Sequence, residues 1–127
     1  MNIVNTTPHN IAVYAAGDVR PIGPKGYRLA SPDVRPVMVI PAIGIVSRAA
    51  CVENVTGEVA GIPVLSMQFG DPVNLPEPKA GTAYIVSCIT AQAAQKVGRT
   101  TEDLYMTARL VRDDAGAIIG CTALSQL

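Results

Sequence analysis

The sequence predicts a mainly β, β-rich α+β fold: a compact barrel- or sandwich-like sheet with one short helix near residues 90–97. Three observations carry this. Apolar residues recur in short runs bounded by Pro, Gly, Asn or Asp, the pattern of strands closed by turns. Ten Pro and eleven Gly are spread along the 127 residues, so the chain is heavily turned without being low-complexity. Only Ile89 to Val97 places its apolar residues at convincing helical spacing.

The length suits a single domain over residues 1–127. Size scaling gives such a chain roughly 6,400 Å² of folded surface, with about two-thirds of its extended area buried. Ten Lys+Arg balance ten Asp+Glu, and charged residues make up 16% against 49% hydrophobic. That excludes a charged disordered chain and argues against a nucleic-acid partner, which needs a basic surplus. With so few charges, a small β-rich monomer struggles to cover its outside. Self-association is therefore expected, most simply as a homodimer, with Ala123–Leu127 a candidate part of the contact.

Taken in order, Ile11–Tyr14 is a short strand ended by Ala16-Gly17-Asp18. Pro21, Gly23, Pro24 and Gly26 make a rigid loop. Tyr27–Ala30 and Val37–Ile40 are further short extended pieces, and Ile43–Ala50 is a strand bent at Gly44. Val52–Val64 contains a hairpin with its turn over Asn54–Glu58. Ile62–Phe69 alternates in the manner of a strand with a core face, and Pro63 suits its start or an edge. Asp71–Lys79, with Pro72, Pro76 and Pro78, reads as a long loop outside any sheet.

Gly81–Ile89 is nearly continuous in apolar content and predicts a central strand covered on both faces. Thr90 is the expected cap of the helix that follows, and Gly98 its stop. Thr101–Leu104 is a candidate helical turn. Tyr105–Arg112 and Ala117–Ala123 form a second hairpin around Asp113–Gly116, with Gly116 in the left-handed position.

The opening NIVNTTPH resembles the "NLTPH" start of small uncharacterised proteins encoded by bacteria and their phages. GIPVLSMQFGDPVNLPEPKAGTAYIVS is similar to their "GIPV…LPEP…GTxYIVS" core, and LVRDDAGAIIGC to their "VRD-G-IIGC" end. Thr6 stands where Leu is usual. The resemblance implies one domain and a phage or mobile-element origin, and implies no activity.

Candidate chemistry is sparse. His9 is the lone histidine, so a nucleophilic mechanism must pair it with Cys88 or Cys121. The alternative is that the His9 ring fixes the loop after the first strand. Cys88 lies in the apolar strand and is expected to be buried and inert; Cys121 ends a hairpin strand and is expected to be more exposed. Three cysteines without close spacing suit a reducing compartment and make a poor zinc cage with one histidine, so no metal and no cofactor is expected. The Ser87–Thr90 step into the helix offers hydroxyls and N–H groups for an anion. Arg99 and Arg109 are further candidates for such a ligand, while Arg112 and Asp113 suggest a surface pair. Asp71, Asn74, Glu77 and Lys79 lie on a stiff loop that loses little entropy on binding, a candidate contact surface.

No apolar stretch approaches the ~18 residues of a spanning helix, and the start lacks a signal-peptide pattern. The expectation is a cytoplasmic protein without a membrane partner. The leading functional reading is a non-enzymatic binding protein, a phage or mobile-element accessory factor that captures a host protein or a small anionic metabolite. The alternatives are a structural or assembly protein of virion type, and a cysteine-dependent enzyme using His9.

Overall fold

In the computed structural model, which describes residues 1–127, the apolar run after Gly81 forms an inner strand of the main sheet. This strand, β8 (Thr82–Ile85), runs parallel to β1 (Asn2–Asn5) on one side and to β9 (Leu104–Arg112) on the other. β9 pairs antiparallel with β10 (Ile118–Ser125), which runs parallel to β2 (Ile11–Val13), which in turn pairs antiparallel with β5 (Met38–Ile40). A small hairpin, β3 (Val19–Pro21) and β4 (Tyr27–Leu29), sits beside the far end of β9. β5 leads back to β1: Asn5 bridges Ala42, and the Ile43 N–H donates to the Asn5 carbonyl at 3.2 Å. The result is mainly β, a nearly closed barrel-like sheet with one α-helix.

Alternation along β8 explains its continuous apolar run. Ile85 points into the barrel with Ile11, Ile40 and Cys121, whereas Tyr84 and Val86 lie under α1 (Cys88–Lys96) with Ala91, Ala94 and Leu104. Alanines on the helix's inner face allow close packing on the sheet. Ser87, not Thr90, is the helix cap: its Oγ accepts the Thr90 N–H at 3.2 Å. The end follows the expected pattern. Gly98 has φ +83°, its N–H donates to the Gln95 carbonyl, and Arg99 N–H donates to that of Ala94. The C-terminal hairpin also forms as read, with Asp113 Oδ1 accepting from Ala115 and Ala117 and Gly116 at φ +86°. Gly120 is required by close approach: a Cβ there would collide with the Ala12 carbonyl and the Tyr14 ring.

The middle of the chain departs from expectation. Residues 43–47 are not a strand, and β6 begins only at Arg48. β6 (Arg48–Val59) and β7 (Ile62–Val73) form a separate two-stranded ribbon, turning at Ala60-Gly61 rather than at Asn54–Glu58. Both turn residues have positive φ, +50° and +81°, which matches the twist of a two-residue hairpin. The Asn54–Glu58 segment is absorbed into β6 with a bulge between Val55 and Gly57. Pro72 lies inside β7 opposite Ala49, tolerated because the ribbon has no further strand to pair with. The long loop therefore starts at Asn74, not Asp71. Thr101–Leu104 is a turn without helix.

The ribbon has no core face. At about 3.4 Å per residue its twelve-residue strands are about 40 Å long, and nearly every residue is exposed. The folded chain exposes 8133 Å², well above the roughly 6,400 Å² expected of a compact monomer of this mass.

A buried polar chain ties these parts together. The Asn5 side-chain amide donates to the His9 carbonyl at 2.8 Å and to the Ile40 carbonyl at 3.0 Å, and its Oδ1 accepts from the Thr7 N–H and hydroxyl. Thr6 Oγ1 donates to the Ile85 carbonyl at 2.8 Å. The Thr6 carbonyl accepts from the Ser47 N–H at 2.9 Å, Ser47 Oγ donates to the Asn74 carbonyl at 2.9 Å, and Thr90 Oγ1 donates to the Ser47 carbonyl at 3.3 Å. Asn5→Ala leaves two carbonyls without their side-chain donor and a buried void. It should cost about 2–4 kcal/mol in chemical denaturation. Thr6→Val, similar in shape, should cost about 1–3 kcal/mol.

Candidate functional site

The most site-like feature is a cleft of about 390 Å³ between the loop after β1, the β8–α1 junction and the β9–β10 hairpin. β8 supplies its floor through Ile85, and Leu110 and Ile119 supply apolar walls. His9, Asn10, Ser87 and Thr107 place polar groups around it. An apolar hollow of this size with a few convergent polar groups has the composition of a small-ligand site. The Asn10 Oδ1 accepts the Ala42 N–H at 2.9 Å, and its amide NH₂ makes no hydrogen bond within the protein. The His9 ring and Thr107 hydroxyl take no part in the protein's own hydrogen bonds; His9 serves the loop through its carbonyl, which accepts from Asn5 and Thr7, and not through its ring.

Of the residues singled out in the sequence, the cleft unites His9 with Ser87. Thr90 is fully buried behind Ser87, its hydroxyl 2.9 Å from Ser87 Oγ, so it supports the rim without reaching the cleft. Arg99 lies elsewhere and is fully engaged. It grips Asp103 through two contacts of 2.9 and 3.0 Å and donates to the carbonyls of Pro76 and Thr100, both at 2.7 Å. Its work is to pin the proline-rich loop, helped by the Tyr84 hydroxyl donating to the Glu77 carbonyl at 3.3 Å. Arg109 is exposed, outside the cleft lining, on a left-handed backbone with φ +50°. Arg112 does not pair with Asp113; it donates to the carbonyls of Lys25 and Gly116. Asp71, Asn74, Glu77 and Lys79 are all exposed, although Asp71 belongs to β7 and the Asn74 carbonyl anchors Ser47.

The cysteines reverse the expectation. Cys88 opens α1 and is exposed, because β8 stops at Ile85. Cys121 is buried among Ile11, Ile40 and Ile85, beneath the cleft and not on its wall. Burial pushes its thiol above the ordinary range, partly offset by a backbone hydrogen bond at Ala123. That is the setting of an inert core thiol.

Asn10, Thr107 and the buried roles of Asn5 and Thr6 were not legible as site-forming from local pattern. The one available signal was the polar density of Asn5-Thr6-Thr7 directly after an apolar strand. No protein-family model, curated protein or solved structure matches the chain in comparisons with known proteins.

Two outcomes follow from the thiols. Alkylation of the native protein should modify Cys88 and spare Cys121 until denaturant is added, as read by intact mass. Because the Cys121 thiol is raised in the folded state, its contribution to stability is whole below the ordinary thiol value of 9.0 and declines as pH rises through and beyond it. Cys121→Ser should flatten that alkaline decline in denaturation curves.

Proposed function

We propose that the protein is a non-catalytic binding module that holds a small ligand in the cleft beside His9 and Ser87. The observation that carries this reading is that His9, Asn10 and Thr107, whose ring, amide NH₂ and hydroxyl make no hydrogen bond within the protein, line one largely apolar hollow. No thiol lines that hollow, so a His9–cysteine couple has no geometric support. The donors suit a small molecule with an apolar body and a carboxylate, phosphate or carbonyl end, a metabolite in the sense of the anionic ligand anticipated above. Arg99 and Arg109 are no part of its recognition.

The setting proposed is a phage or mobile-element accessory factor acting in the cytoplasm, in keeping with the resemblance of the opening, core and ending, and with three free cysteines. No helix is long and apolar enough to cross a membrane.

A thermal-shift screen against a metabolite library tests the reading. A true ligand should raise the midpoint, and His9→Ala or Thr107→Val should weaken its binding by about tenfold or more, the scale of one lost hydrogen bond to a polar ligand group. Arg99→Lys should leave affinity unchanged. An empty screen, or binding indifferent to both cleft variants, would refute it.

A further inference from the structure

We infer that the β6–β7 ribbon is a dimerisation arm whose apolar face packs, antiparallel and across a two-fold axis, on the same face of a second copy. A two-stranded ribbon in water is marginal by itself, yet this one carries large apolar side chains along its length. Cross-strand partners share a face, so the register places Cys51 with Phe69, Glu53 with Met67 and Val55 with Leu65 on one side. The other side presents Asn54 with Ser66 and Val52 with Gln68 in its middle, a more polar stretch, and turns apolar toward the tip at Val64, Val59 and Ile62. The apolar face continues at the arm's base onto α1, where Phe69, Ile89 and Lys96 line one hollow. Along it Val55 is 72%, Met67 52% and Leu65 45% exposed.

Area and charge both favour a second copy as the cover. The chain exposes about 1,700 Å² more than a compact monomer of its mass. If each of two copies hides that surplus, roughly 3,400 Å² is removed from solvent, within the range of obligate homodimers. The outer half of the arm bears Glu58 and no basic residue, Glu53 lies at its middle, and the base bears Arg48 and Lys96 against a single acid, Asp71. Glu58 pairs with Pro63, two residues from Leu65, and so lies on the apolar face. An antiparallel two-fold arrangement lays the acidic tip of each arm over the basic root of the other. Glu58 then meets the partner's Lys96, twice by symmetry. A parallel arrangement would stack acid on acid.

Sedimentation of the full chain across micromolar concentrations tests this, with circular dichroism to confirm folding. The wild type should be a dimer. Leu65→Glu and Met67→Glu should raise the dissociation constant by about 100-fold or more, because each forces an unpaired carboxylate into an apolar contact. Ser66→Glu, on the other side of the ribbon, should not. Should the apolar variants fail to fold, charge exchange decides: Glu58→Lys and Lys96→Glu should each weaken the dimer, and the double variant should restore it. A wild type that stays monomeric, assembles beyond a dimer, or dimerises without response to any of these changes would overturn the proposal.

Discussion

Asn5 and Thr6 are fully buried, and their polar atoms hold together chain segments far apart in sequence. A buried amide is tolerable only when its donors and acceptors are used, and Asn5 uses both its N–H donors and its oxygen. Its backbone continues the same task, receiving Ile43 at the point where the sheet curls back toward β5. No buried side-chain polar atom in the protein lacks a partner, so the network adds specificity without leaving an orphan. Only 19 of 127 residues are buried, and this contact adds a directional tie to that small core where the sheet nearly closes.

The same network reaches both the cleft and the ribbon. Through the His9 carbonyl it shapes the loop that presents the His9 ring to the cleft. Through Ser47 and Asn74 it clamps the chain on either side of the arm, one residue before β6 and one after β7. Thr90 closes the circuit by joining that root to the helix start. A mobile root would let the ribbon swing and would cost a binding partner extra ordering entropy; a clamped root presents it in one direction.

Parts of this architecture were legible locally. The run after Gly81 is inner because alternate residues each meet a covering layer, and an unbroken apolar stretch records that. Gly98 and the Asp113–Gly116 turn are read correctly because left-handed backbone and a short carboxylate leave strong chemical marks. The arm's turn was missed for the converse reason. Ala60 carries no mark of its positive φ, whereas the Asn and Gly of Asn54–Glu58 suggest a turn that the longer register overrides. The candidate site was half legible: His9 and Ser87 stood out by residue type, but Thr107 joins them from a strand about a hundred residues beyond His9 in a chain of 127.

By itself the sequence determined which residues alternate, where the chain must bend, and that charge is too scarce to solvate every face. Those are properties of neighbours along the chain. Only the tertiary structure decided that Cys121 is buried and Cys88 is not, that Arg99 grips a loop, and that the alternation in β7 faces no core of its own. Period-two patterning states which side chains share a face; whether anything lies against that face depends on segments that meet it from elsewhere in the fold.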